Sequence, residues 1–542
     1  MERITGKSVC GGIAIGKIHY FAQKERRIAR RTIDDTAAEL ERFEKARERA
    51  LAELRELYER ALADVGEKEA AVFDIHQMML EDEDYLDAIR GVITGEKLNA
   101  EYAVATARED FASMFSEMDD PYMQARAADV HDVSNRLVDC LCGADSSRDM
   151  GTEPVILTAR DLTPSETVQL DKKMILAFVT AEGTSNSHTA ILARTMGIPA
   201  IIGAGEAVRE ELAGKSGAVD GFEGVVYVDP DSATLAEMGT KREEDRERRA
   251  LLDKYRGKPN ITLDGREVMV YANIGSVSEL AAVERCDAGG IGLFRSEFLY
   301  LECDDFPDEE RQFAAYRSVA KAMGDRRAII RTLDIGADKR IGYFALPDEE
   351  NPALGLRGVR LCLERPEVFR TQLRALYRAS AFGKIAIMFP MVASIWEIRE
   401  VKRHLETVKE ELRREGRAFN EDLEIGVMIE TPAAAMLSDL FAEEVDFFSI
   451  GTNDLSQYTL AADRQNPAVE RYCDPHHEAV LRFIKLIVDN AHAKGIWVGV
   501  CGELAGDPDM TAALVQMGVD ELSVSPPKVL ELRKRITETK AF

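Results

Sequence analysis

Gly183-Thr-Ser-Asn-Ser-His188-Thr-Ala-Ile-Leu-Ala-Arg194 is a small polar loop that runs into a helical pattern. Met174-Ile-Leu-Ala-Phe-Val-Thr180 before it is an apolar run of strand length. Ala190, Ile191, Ala193, Arg194 and Met196 after it read as a short helix ended by Gly197 and Pro199. Strand, loop and helix in that order mark an α/β unit. His188 stands where the helix begins, and a helix start offers unpaired N–H groups and a field that favours an anion. Imidazole is a nucleophile that can be neutral at pH 7, so a histidine here is placed to accept a phosphoryl group. The plainer alternative is a histidine that only caps a surface helix.

Outward from this unit, strand patterns recur at 155–157, 200–202 and 224–228, and a turn-rich β segment fills 1–20. That segment is too small to be a domain and should pair with strands elsewhere. Between the two stretches the pattern is helical. Leu40, Phe43, Ala46, Ala50, Leu54, Leu57 and Ala61 fall at spacings of three and four with charges between them. Further helical stretches are read at 68–80, 83–93, 98–116 and 122–141, a bundle of about four helices. The simplest organisation is one α/β domain from 1–20 and 145–230, with a helical domain inserted at 21–144. The charged stretch 231–258 reads as a linker helix, the alternative being a solvated helix of one domain.

From 259 to 542 strands alternate with helices. Strands are expected at 268–274, 290–294, 327–333, 385–390, 425–429, 445–450, 496–500 and 521–524. Eight such units in this length predict a C-terminal β/α (TIM-type) barrel, with its site at the C-terminal strand ends. An open doubly wound sheet is the alternative. The fold class is thus multidomain α/β.

The residues after those strands carry the chemistry. Arg295, Arg331 and Arg464 suit bidentate grip on phosphate or carboxylate oxygens, and Lys339 adds a point charge. Asn453 can donate to a substrate oxygen. Glu430 and Asp454 are hard oxygen ligands suited to Mg²⁺; the alternative is a salt-bridge network with the arginines. Cys501, beside such cations, is a candidate proton donor or acceptor, the alternative being a packed thiol. Asp334 and Glu503 are expected to support these groups, and Arg357 to reach back from the segment after the third strand. His476 and His477 read as surface residues at a helix start. Together the set describes a site for a small, multiply charged anion with a divalent metal.

The chain has 542 residues, 45% hydrophobic and 31% charged, which implies several domains. A net charge of −27 argues against nucleic acid and anionic membrane as partners and suits a partner with a basic face. Eight scattered cysteines without Cys-x-x-Cys spacing read as reduced thiols. No signal region or membrane-length apolar run is present, so a cytoplasmic protein without membrane insertion is expected.

In order along the chain, Asp161-Leu-Thr-Pro-Ser165, the His188 loop, Gly292-Leu-Phe-Arg295-Ser-Glu-Phe298, Arg331-Thr-Leu-Asp334, Leu354-Gly-Leu-Arg357, Met428-Ile-Glu430-Thr-Pro432, Gly451-Thr-Asn-Asp454-Leu and Cys501-Gly-Glu503 resemble enzyme I of the bacterial phosphoenolpyruvate-dependent sugar phosphotransferase system. The resemblance spans nearly the whole chain. It implies that phosphoenolpyruvate binds with Mg²⁺ in the barrel and that His188 takes its phosphoryl group, releasing pyruvate. The group then passes to a histidine of the carrier protein HPr, docked on the helical insert. It further implies that Cys501 protonates the enolpyruvate, that Arg295 and Arg331 hold the phosphate, that Thr167 orients His188, and that the barrel forms a homodimer. The sequence departs from the family's loop at Thr184, where a glycine is usual, and at Asn186, where threonine is common. On the insert, Met78 and Met79 beside Asp82 and Asp84 suit a basic partner; the alternative places both methionines in the bundle core. The rival reading is a phosphoenolpyruvate synthase or pyruvate phosphate dikinase-like enzyme, which needs an ATP domain. A barrel lyase would leave His188 without a role.

Overall fold

Three short β segments in the first 21 residues cannot bury a core alone, and they pair with strands from far down the chain. The computed structural model describes residues 1–21, 28–64, 67–116, 121–143, 153–183, 188–301, 303, 305–336, 342–344, 346, 349–464, 466 and 468–541. Contacts divide the chain into two units, Met1–Arg249 and Ala250–Phe542.

In the first unit β1 (Glu2–Thr5), β2 (Lys7–Cys10), β3 (Ile13–Phe21), β4 (Val155–Ala159), β5 (Ile175–Thr180), β6 (Ala200–Ile202), β7 (Ser216–Asp220) and β8 (Val225–Val228) form one sheet, ordered β1-β8-β7-β3-β4-β5-β6-β2. The centre, β3-β4-β5-β6, is parallel, and β1, β2 and β7 join antiparallel. Alternation along β4 sends Ile156 to one buried face and Leu157 and Ala159 to the other.

Between β3 and β4 lie α1 (Thr36–Asp64), α2 (Glu67–Glu81), α3 (Glu83–Gly95), α4 (Ala100–Ser116) and α5 (Pro121–Cys142). They pack around Phe43, Leu54, Phe73, Ile89, Val104 and Leu137. The described bundle thus has five helices rather than about four. The break between α2 and α3 comes from Asp82, whose carboxylate caps α3 by accepting from Tyr85 N at 3.0 Å. After α6 (Pro164–Gln169) and α7 (His188–Met196), α8 (Ser232–Asp253) is mostly exposed, with Met238 packed beside Ile13 and Ala218.

In the second unit β9 (Met269–Ile274), β10 (Ile291–Arg295), β11 (Ala328–Arg331), β12 (Ile385–Phe389), β13 (Glu424–Ile429), β14 (Phe447–Ile450), β15 (Trp497–Val500) and β16 (Glu521–Val524) close into a barrel of parallel strands. These are the eight expected strands, several starting a residue or two late. Ile329, Ala386, Met388, Met428 and Phe447 fill the interior, with Trp497 stacked on Phe447 at 4.7 Å. No described helix is long and apolar enough to cross a membrane.

Candidate active site

At the C-terminal strand ends of the barrel, a cavity of about 960 Å³ is lined by Arg295, Arg331, Arg357, Glu430, Asp454 and Cys501, among others. Arg357 reaches in from the segment after β11, and the other charged groups sit at or shortly beyond a strand end, where a parallel barrel has no packing use for them. Arg331 closes β11 and donates from Nη2 to Glu297 Oε1 at 2.9 Å, while its Nη1 lies 2.9 Å from Asp334 Oδ2. Arg357 Nη2 donates to both Asp334 oxygens at 3.0 Å and lies 3.4 Å from Asp454 Oδ2. Its Nη1 donates to the Tyr458 hydroxyl at 3.2 Å. Burial works against the charge on Arg331 and Arg357, but the acids around them more than offset it, so both guanidiniums are held charged.

Glu430, just after β13, is 1% exposed, and its Oε1 accepts from Met391 N at 2.6 Å. Burial, then the neighbouring Asp454 and Asp334, push its carboxyl well above the usual range. Asp454 lies in the first turn of the helix Thr452–Leu460. Its Oδ1 is 3.3 Å from Arg464 Nη2 but makes no well-formed hydrogen bond among the described residues. Two crowded carboxylates, one driven towards its neutral form and one with a buried oxygen left over, are a donor set that fits a hard divalent cation.

Asn453 Oδ1 accepts from Glu503 N at 3.0 Å, which ties the start of the helix after β14 to the segment after β15. Arg295 and Arg464 stand exposed at the mouth. Cys501, 5% exposed, directly follows β15 and lines the cavity, and burial pushes its thiol up to about 11. Packed thiol and cavity-lining group are therefore both true of it. Lys339 lies outside the described residues, as do Thr184 and Asn186.

The reading of strand ends missed Glu297 and Tyr458. Glu297 sits inside the quoted 292–298 motif, two residues after Arg295. Tyr458 falls four residues after Asp454 on one helix, hence on the same face. His477 caps the helix Glu478–Ala493, and His476 bridges Asp474 and Asp507 at 3.1 and 2.7 Å.

In the first unit, His188 is the first residue of α7, after β5 and Gly183. Thr167 is buried on α6, which packs beside α7. A capping box between Thr163 and Glu166 fixes the start of α6. On the insert Met78 is 68% exposed, whereas Met79 packs against the bundle core.

Comparison with known proteins covers both units. Family models match for PEP-utilising enzymes: the N-terminal region at residues 5–126, the mobile domain at 151–224 and the PEP-binding domain at 249–541. A protein of Staphylococcus carnosus named phosphoenolpyruvate-protein phosphotransferase is 42% identical over 536 residues, covering 99% of this chain and 94% of that one. Proteins of the same name from Haemophilus influenzae and Bacillus subtilis are 44% and 41% identical over 539 residues each. These alignments cover 98% and 99% of this chain, and 93% and 95% of the relatives.

Proposed function

The chain belongs to the phosphoenolpyruvate-protein phosphotransferase family of PEP-utilising enzymes, and from that premise we propose that it moves the phosphoryl group of phosphoenolpyruvate to His188 and on to a histidine of HPr. The observation that carries the reading is the ring of Arg331, Arg357 and Arg464 around buried Glu430 and Asp454 at the barrel mouth. Such a ring recognises a small polyanion by charge and by fork geometry. The dikinase alternative is not favoured, because relatives matching 98–99% of the chain carry the phosphotransferase name.

Arg295 and Arg331 hold the phosphate, with Arg464 and Arg357 closing the ring, Lys339 adding charge and Asn453 donating to a substrate oxygen. Thr167 orients the imidazole. As the nitrogen–phosphorus bond forms and the phosphorus–oxygen bond breaks, the oxygen keeps the electron pair and an enolate of pyruvate is left. Cys501 gives its proton to the methylene carbon of that enolate, completing pyruvate and leaving a thiolate. Burial keeps the thiol protonated at neutral pH, so the acid is loaded when the enolate forms. Glu430 and Asp454 would hold Mg²⁺, which would supply positive charge to the substrate's phosphate and enolate oxygens.

HPr docks on the helical insert near exposed Met78 and the acids Asp82 and Asp84. The barrel pairs with a second copy through its outer face, where Trp396, Met436 and Leu440 are 62%, 61% and 45% exposed. The protein works in the cytoplasm as the first step of sugar uptake. The test is discharge: enzyme phosphorylated from phosphoenolpyruvate alone should lose its phosphate when HPr is added. A phosphate that stays on the enzyme would reject HPr as acceptor, and a requirement for ATP would favour the dikinase reading.

A further inference from the structure

Glu521 has no part in the mechanism above, yet it is a carboxyl group 0% exposed inside the barrel. The strand register shows what it faces. Ser449 on β14, Gly499 on β15 and Glu521 on β16 are directly paired neighbours, and Cys501 is one same-face step above Gly499. Because Gly499 has no side chain, the carboxyl of Glu521 extends across it: a Cβ there would stand 2.0 Å from Glu521 Oε2. A second opening lies at Gly292 on β10, where a Cβ would stand 2.7 Å from Oε1. Neither carboxyl oxygen has a well-formed hydrogen bond among the described residues, and the same holds for Ser449 Oγ. The hydroxyl of Ser523, next on the same face of β16, is turned to the Val500 carbonyl at 3.3 Å. The Cys501 thiol is turned to the Ile450 carbonyl at 3.7 Å, one residue beyond Ser449. By register Ser449 lies beyond Gly499 from Glu521, so the carboxyl that extends over Gly499 points towards it, one step below Cys501.

Forming pyruvate places one proton on carbon, so the donor must be recharged from water. We propose that Glu521 recharges Cys501 through Ser449. The Glu521 O–H bond breaks as Ser449 passes its own proton to the thiolate and takes one from the carboxyl. The products are a thiol and a carboxylate, and solvent then returns a proton to the carboxylate. Glu521 touches no substrate and acts through Cys501.

The surroundings keep the acid loaded. Burial, above all, pushes its carboxyl up to about 8. The titratable and charged groups facing it are Tyr271 on β9, Arg327 before β11 and Cys501 just after β15. Arg327 is committed to Glu424 by two hydrogen bonds of 2.7 and 2.9 Å and lies over the Trp497 ring, which leaves Glu521 without an ion pair among the described residues.

The inference rests on the reading of Cys501 as the acid, and the test separates the two. The full-length enzyme is equilibrated with Mg²⁺, phosphoenolpyruvate and labelled pyruvate in D₂O. Label exchange reports phosphoryl transfer, and NMR reports deuterium in the pyruvate methyl group. Exchange can reuse one proton, whereas deuterium enters only if Cys501 is recharged from solvent. Glu521→Gln and Ser449→Ala should each cut deuterium gained per exchange event at least about ten-fold, far more than they cut exchange. In the wild type that ratio should fall as pH rises through about 8, and in Glu521→Gln it should not. Wild-type ratios in both variants would overturn the relay. Unchanged exchange and deuterium uptake in Cys501→Ala would instead overturn Cys501 as the acid. Ser449→Ala, a one-atom change, carries the test if Glu521→Gln fails to fold.

Discussion

Arg357 donates from one nitrogen to both carboxylate oxygens of Asp334, each at 3.0 Å. The same carboxylate meets Arg331 at 2.9 Å, so one acid sets the direction of two cations in the cavity. Asp334→Asn should raise KM for phosphoenolpyruvate about ten-fold, equal to ~1.4 kcal/mol. It should also destabilise the barrel by about 3 kcal/mol, because two buried guanidiniums each lose one of their two anions, Glu297 and Asp454 remaining. Steady-state kinetics and thermal melting check both parts. An unchanged KM would mean that the arginines are held by other groups.

The charge of Asp454 works against ionisation of Glu430. A cation bound there should raise the melting temperature. At a hundred times its Kd, Mg²⁺ should add about 2.7 kcal/mol. Glu430→Gln should remove that shift while raising the melting temperature at neutral pH without Mg²⁺, since the amide is neutral in both states whereas the raised carboxyl must take up a proton to be buried. Calorimetry with and without Mg²⁺ decides it, and a full Mg²⁺ shift in the variant would exclude Glu430 as a ligand.

Most of the barrel site could be read from sequence because function and packing demand different residues at a strand end. Arg295, Arg331, Glu430 and Cys501 each follow an apolar run, where a charge or thiol has no local reason to be. Glu297 was missed because a glutamate opening a short helix looks like an ordinary helix-start acid. Glu521 was missed for another reason: a strand's inner face has period two, and only cross-strand register shows that Gly499 clears space for it. The break between 68–80 and 83–93 was legible in the sequence, but not that Asp82, part of an acidic run, serves as the cap of α3.

Glu521 also sets a pH dependence of stability. Its folded value, about 8, lies above the ordinary carboxylate value, so between pH ~4.5 and about 8 the folded state keeps a proton that the unfolded state has lost. Stability therefore falls as pH rises through that window, by up to ~1.4 kcal/mol per pH unit. Glu521→Gln should remove this decline, so that its stability relative to wild type is greater at pH 8 than at pH 5. Denaturant melts at both pH values check it, and parallel curves for wild type and variant would refute the assignment.

The docking face needs a variant that spares the fold. Asp82 caps α3, so reversing its charge damages the helix as well as the surface. Asp84 is exposed and lies in the first turn of α3. Asp84→Lys should weaken HPr binding about ten-fold at low salt and much less near 1 M, where the screening length is ~3 Å. Titration calorimetry at both salts measures this, and equal affinities at low salt would move the docking face elsewhere.

The central claim is that His188 receives the phosphoryl group of phosphoenolpyruvate directly. Wild type and His188→Ala should be incubated with phosphoenolpyruvate and Mg²⁺, without ATP, while pyruvate release and intact protein mass are followed. The account predicts pyruvate and one acid-labile, alkali-stable phosphate in the wild type, and neither in the variant. Phosphoprotein or pyruvate formed equally well by His188→Ala would contradict it.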